Sequence, residues 1–296
     1  MKPTRETQAA IYARAAKRGQ FTSNLGRAVT LAILFGGIVL MLLPLYVMIV
    51  MALKTQAELG TTDIWSWPKA PTFDNFKEVI ANPNLNFALF LRNTAVITVV
   101  STIGVLFSSA VVAYGFSRLE FAGKNRLFLV LLATMMLPGI VTMIPTYVMF
   151  AKIYWVDTFL PLTVPAWLGG GAFNIFLLRQ FFLSIPRDLD EAAILDGANH
   201  WTIFSKVIMP LSGPALATVG LFSFIGAWKD FMGPLIYLND ASKLTLEVGL
   251  RAYAGYQAER WHLVMAGSVL VMIPIIILFF VGQRWFVKGI VMTGLK

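Results

Sequence analysis

Residues 179–210 read RQFFLSIPRDLDEAAILDGANHWTIFSKVIMP, and both ends lead into stretches without a charged side chain. Pro186 sets the start of a short helix. Asp188 stands where an N-cap is expected, and Glu191 three residues on completes a capping-box pattern. Asp188, Asp190 and Glu191 also suit the positive end of a helix dipole. Leu189, Ala192, Ala193 and Leu195 supply the apolar residues. Asp196-Gly197 ends the helix, because glycine takes the left-handed conformation that a helix end needs. Asn199 caps a second helix, with Trp201, Phe204 and Ile208 at helical spacing, which runs to Pro210 and beyond. The pair lacks a basic recognition helix, which argues against DNA reading. It fits a docking knob for another protein: Ala192 and Ala193 permit close backbone approach, and Gly197 permits a tight turn inside a cleft.

The stretches flanking this hairpin are two of six that contain no Asp, Glu, Lys or Arg: 28–53, 93–117, 127–151, 158–178, 207–228 and 261–283. Each is at least 21 residues long, and about 20 helical residues cross a bilayer core. Helices satisfy their own backbone in lipid, so the expectation is an all-α integral membrane protein with six crossing helices. The fourth stretch is interrupted by Pro161, Pro165 and the glycine run 169–171. The first is too long for a signal-peptide core of about 7–15 residues and reads as an uncleaved anchor. Pro44, Pro138, Pro145, Pro165 and Pro274 are expected to bend the spans.

Composition agrees. Of 296 residues, 57% are hydrophobic and 13% charged, against about 25% charged in soluble domains. Disorder and a soluble enzyme are excluded on that balance. The absence of cysteine removes disulfides, iron–sulfur ligation and thiolate zinc sites, and two histidines, His200 and His262, leave little for a metal cluster. Six spans put both termini on one side, with loops 118–126 and 179–206. That side carries 15 Lys or Arg and 6 acids; the opposite loops, 54–92, 152–157 and 229–260, carry 9 of each. The whole excess of +9 therefore lies on one side, which the positive-inside rule makes cytoplasmic. The basic balance is explained by topology and membrane lipid, not nucleic acid. The expected layout is a basic tail 1–27, a six-span transmembrane domain 28–283 and a tail 284–296, with a cytoplasmic loop 184–209 and outer loops 54–92 and 229–260. In the first outer loop TFDNFKEVI, residues 72–80, reads as a short amphipathic helix capped by Asp74.

The run Glu191-Ala192-Ala193-x3-Gly197-x9-Val207-x-Met209-Pro210 resembles the EAA motif of ABC-importer permeases, with Val207 and Met209 in place of that motif's Ile and Leu. AYGFSRLEFAGKN (113–125), MLPGIVTMIP (136–145), FLLRQFF (176–182), FIGAWKDFMGPLIYL (224–238), TLEVGL (245–250) and QRWFVKGIVMTGLK (283–296) narrow the resemblance. Over about residues 28–296 the chain is similar to the MalG-like permease subunits of maltose-type carbohydrate importers.

The resemblance implies the type I ABC importer fold, located in a bacterial inner membrane. It implies a MalF-like second permease, two ATPase subunits and an extracytoplasmic solute-binding protein as partners. ATP and Mg would reside on the ATPases and no cofactor on this chain, which has no G-x-x-x-x-G-K-[ST] loop and is not expected to be an enzyme. Leu189, Asp190, Glu191, Ala192, Ala193, Asp196, Gly197 and Asn199 would form the ATPase-coupling helix and its turn, and the 284–296 tail would also reach the ATPase pair. Tyr253 and Tyr256 would touch the binding protein, with Trp261 an interfacial anchor. Trp228, Lys229, Asp230, Asn93 and Asn174 would lie along the substrate path, Thr94 and Gln180 being lesser candidates. Lys229 stands where the family commonly has Asn, and with Arg92 it points to an acidic, uronide-type sugar. A permease for another solute such as glycerol phosphate, or a membrane scaffold without a pore, are the competing expectations.

Overall fold

A computed structural model describes residues 5–83, 85–256 and 260–293, with side chains described for 26–83, 85–256 and 260–283. The side chains of the two tails therefore lie outside the described residues. This includes an expected amphipathic arrangement of Ile11 and Ala15 opposite Arg14, Lys17 and Arg18.

Among the described residues there is no strand. The principal helices are α1 (Arg5–Leu53), α2 (Asp74–Ala81), α3 (Phe87–Arg118), α4 (Lys124–Thr134), α5 (Gly139–Lys152), α6 (Ala172–Ser184), α7 (Asp188–Leu195), α8 (His200–Leu211), α9 (Gly213–Trp228), α10 (Met232–Tyr237), α11 (Leu246–Tyr256) and α12 (Trp261–Thr293). Gly26–Leu53, Phe87–Arg118, Leu160–Ser184 and Trp261–Gln283 are long and apolar enough to cross a membrane. The two bent pairs α4–α5 and α8–α9 bring the number to six.

Those bends depart from straight crossings at 127–151 and 207–228. α4 meets α5 at 96° and α8 meets α9 at 80°. Proline removes a backbone donor and clashes with the preceding turn. Pro138 stands at the first break, and Pro210 and Pro214 straddle the second. Pro44, Pro145 and Pro274, by contrast, lie inside continuous helices. The fourth crossing is broken as expected. A 3-10 turn at Val164–Leu168 precedes Gly169–Gly171, all at positive φ, before α6 begins. Small residues of α3 receive this break: Ser101 Oγ donates to the Leu162 carbonyl and Ser108 Oγ to the Ala166 carbonyl, both at 2.8 Å. Gly170 sits so close to α3 that a Cβ there would collide with Ser109 Oγ.

Two apolar clusters hold the body together. One gathers Ala110, Tyr114, Ile175, Phe182, Phe204 and Ile208 from α3, α6 and α8; the other gathers Val79, Phe90, Trp228, Leu246, Tyr253 and Leu263 from α2, α3, α9, α11 and α12. α1 contributes little, with 6% of its apolar window buried, so Leu31, Phe35, Leu40 and Met41 face outward.

The loops sort into two groups by their own contacts. Loops 118–126 and 179–206 meet through Arg187 with Glu120 and Arg118 with Asp190. Loops 54–92, 152–157 and 229–260 meet through Arg260 with Glu78 and Lys243 with Asp157. The first group is the pair of loops that the charge count places with the basic tails, and the second is the neutral set. In the neutral group, α2 forms where TFDNFKEVI predicts a helix, but Asp74 is its first residue, and its N–H is accepted by Thr72 Oγ1. Asn75 ties this helix to α1 by donating to the Ala52 and Lys54 carbonyls at 2.7 and 2.8 Å. Lys54 is 1% exposed, and its ammonium donates to Thr62 Oγ1, Ser66 Oγ and the Asp63 carbonyl, folding residues 55–66 back onto the helix end.

Candidate functional site

The basic group of loops presents α7 as a free-standing knob. No residue of α7 is buried. Leu189, Ile194 and Leu195 are exposed, and so is Trp201 at the start of α8. Glu191, Ala192 and Asp196 are exposed with them, whereas Ala193 and Ala198 pack on the cluster below.

The turn beyond α7 is as the sequence predicts. Gly197 has φ +82°, its N–H donates to the Ile194 carbonyl, and the Ala198 N–H donates to the Ala193 carbonyl, both at 2.9 Å. This is a Schellman closure, which needs the left-handed residue at that position. Asn199 caps α8 by accepting from the Thr202 N–H at 2.8 Å. The start of α7 differs. Asp188 is already inside the helix, Arg187 precedes it without a side-chain cap, and the Arg187 carbonyl accepts from the N–H groups of Asp190 and Glu191. The acids of the first turn thus act through the helix dipole rather than through a capping box.

Asp190 turns inward. Its Oδ2 lies 3.2 Å from Arg118 Nη1, and Arg118 Nη2 donates to the Phe182 and Ile185 carbonyls. Sequence reading left Arg118 unassigned, because a lone Arg at a span end reads as topology. Nearby, hydrogen bonds from Arg187 and Lys124 hold the Glu120 carboxyl below its ordinary value. His200 Nδ1 lies 3.3 Å from the Tyr114 hydroxyl. Among the described residues no group of three or more metal-ligating side chains is assembled.

The residues expected along a substrate path are not gathered in one place. Trp228 is 4% exposed, stacks on Phe224 and donates Nε1 to the Val271 carbonyl. Asn93 is buried and donates to the Ser242 and Leu244 carbonyls. Thr94 beside it accepts from the Leu246 N–H at the start of α11. Asn174 donates to the Gly170 carbonyl. Asp230 Oδ1 accepts from the Gly233 N–H and so starts α10. Lys229 and Arg92 are exposed, and Arg251 lies 5.8 Å from the Phe231 ring. Tyr253 is 3% exposed within the core, while Tyr256, one helical turn on, is 86% exposed. His262, at the start of α12, is 2% exposed.

A concave surface that sequence reading missed lies between α5 and α10. Thr142, Met143, Thr146, Met232, Gly233 and Tyr237 are among the residues lining its cavity of about 300 Å³. Its signal was Thr142 and Thr146 at i,i+4 in an otherwise apolar stretch, which places two hydroxyls on one face. Across the neutral loops, Asp157 adopts φ +62° and accepts from the Asn239 and Asp240 N–H groups while pairing with Lys243 at 2.7 Å. These contacts, Lys243 foremost, lower its carboxyl to about 2.

Residues 104–292 match the family model described as binding-protein-dependent transport system inner membrane component. The chain is 32% identical over 256 residues to the arabinooligosaccharides transport system permease protein AraQ of Halalkalibacterium halodurans, covering 86% of this chain and 90% of that one. It is 33% identical over 226 residues to the trehalose/maltose transport system permease protein MalG of Thermococcus litoralis, covering 76% and 81%. Among solved structures it is similar to a bacterial ABC transporter involved in the import of the acidic polysaccharide alginate, with TM-score 0.74 and 24% identity over 97% of this chain and 99% of that chain.

Proposed function

The chain belongs to the family of binding-protein-dependent transport system inner membrane components, and on that premise we propose that it is one permease half of an ATP-driven importer of a sugar or oligosaccharide. Its all-helical, six-span body has the type I importer fold. In this reading the basic side is cytoplasmic, both termini lie there, and 28–283 is the permease domain between two tails. A second, MalF-like permease completes the path. Two ATPase subunits supply ATP and Mg, and an extracytoplasmic binding protein delivers the sugar to the neutral side, where Tyr256 is exposed.

The observation that carries the proposal is the knob. Leu189, Ile194 and Leu195 are exposed apolar side chains on a helix that buries none of its own residues, and Trp201 is exposed just past its turn; apolar side chains left uncovered on a small projecting element fit a surface that meets a partner. Seated in a groove of an ATPase subunit, α7 would follow closure of the ATPase pair. α8 continues from its turn into the 80° corner with α9, so movement of the knob would reach the fifth span directly. Alternating access needs a body with two positions that favour different ligand states. The α5–α10 surface, with Thr142, Thr146 and Tyr237, is this chain's share of the path, and the partner permease closes it.

Purifying the complex through a C-terminal tag from native membranes, with mass spectrometry of the co-purifying chains, tests this. An ATPase and a second permease are the expected partners; a stable lone chain from membranes that express them would overturn the reading. For substrate class, the exposed cations Lys229 and Arg92 favour an acidic, uronide-type oligosaccharide. Lys229→Asn should then slow uptake of an acidic sugar more than of a neutral one; equal rates would remove that assignment.

A further inference from the structure

We propose that the Arg118–Asp190 ion pair is the stiff link that delivers movement of α7 to the membrane spans, which makes Arg118 a positioning residue for coupling. The proposal rests on the importer reading above and names how its knob is held.

The apolar hold of α7 on the body is slight. It is limited to half-buried Ala193 and, past the turn, Ala198. A space of about 120 Å³ lined by Tyr114, Arg118, Asp190, Glu191 and Ile203 lies between α7 and the helices α3 and α8. The ion pair lies along that space, with side chains 3% and 15% exposed. The same guanidinium holds the last carbonyls around the end of α6 at 2.8 and 2.9 Å. One side chain therefore ties the end of the second span, the end of the fourth and the first turn of the knob. The neighbouring cations Arg187 and Lys124 are occupied: Arg187 pairs with Glu120 and donates to the Ser117 carbonyl, and Lys124 pairs with Glu120. Two small alanine contacts can slide when a helix is pushed. A buried pair resists separation, because parting it leaves two uncompensated charges out of water. Glu191, exposed at the rim of that space, stays free to face the partner.

The test compares wild type, Arg118→Gln and Arg118→Ala in the reconstituted complex, reading ATP hydrolysis and sugar uptake together. Hydrolysis should stay within about twofold while uptake per ATP falls, within the about 5–150-fold span of ordinary coupling energies. A bracing role alone would lower both rates in parallel and would overturn the proposal, as would normal coupling in Arg118→Ala. The chain has no cysteine, so Arg118→Cys with Asp190→Cys adds a decisive readout. A short bifunctional thiol reagent should restore uptake per ATP to the uncoupled pair, and linkage without restoration contradicts the idea. Failure of the wild-type complex to couple ATP to uptake would instead sink the importer reading.

Discussion

Replacing Gly197 by alanine tests the knob through a single torsion. A Cβ at Gly197 meets nothing within 4 Å, so no clash contributes. What remains is φ +82°, where an L-residue with a Cβ costs about 1–2 kcal/mol. That cost falls on the Schellman turn alone, because Ala198 and Asn199 must stay in place for α8 to begin. Converted to populations, about 1–2 kcal/mol is a factor of about 5–30 in the turn that presents α7. The initial rate of ATP-dependent sugar uptake into proteoliposomes, at a fixed amount of assembled complex, should fall within that range. The melting temperature of the complex should hardly move, since the site is exposed. Gly197→Asn should recover much of the loss, because asparagine tolerates the left-handed region. Uptake at the wild-type rate in Gly197→Ala, or an asparagine variant slower than the alanine one, would refute the reasoning.

Three further outcomes follow from the packing. Lys54→Met should loosen the outer loop by about 1–3 kcal/mol, the usual cost of leaving buried acceptors without a donor; faster amide exchange over residues 61–66 would register it. Gly170→Ala should destabilise the α3 contact through both collision and positive φ, by about 1–3 kcal/mol for overpacking alone. Thermal unfolding in detergent should show a larger loss than for Gly169→Ala, where a Cβ has open space. Because the Asp157 carboxyl is lowered from 3.8 to about 2, its contribution is complete above its unfolded value and is lost as pH falls through the folded one. Exchange at the Asn239 and Asp240 amides should therefore rise between about pH 4 and pH 2, and Asp157→Asn should flatten that response.

Much of this was legible from residue order. The knob, its Gly197 turn and the Asn199 cap rest on local chemistry, so spacing alone places them. The grouping of loops 118–126 with 179–206, and of 54–92 with 152–157 and 229–260, follows from the order of the spans and agrees with the ion pairs between them. The bends are harder to read. A run without charges gives length but not direction, and Pro138 and Pro210 break their helices whereas Pro44 and Pro274 do not. The path residues were the least legible. In a helix that is apolar all round, periodicity does not say which side faces a neighbour. Sequence places Trp228 and Asn93 on the path by type alone and cannot show that they are buried and donate to the Val271 and Ser242 carbonyls. Tyr253 and Tyr256 are one turn apart and have opposite fates, core and solvent. Arg118 lies in the 113–125 stretch, but its role is not legible there, because its partners come from other elements.

The central claim is that the knob docks on an ATPase subunit. Leu195→Cys gives the chain one thiol, at a position 89% exposed, and a photoreactive thiol reagent placed there reports its neighbour. Illumination of native membranes, followed by mass spectrometry of the adduct, should yield a covalent product with the ATPase. Adducts only with lipid or with the permease chains, in membranes where the ATPase co-purifies, would contradict the account.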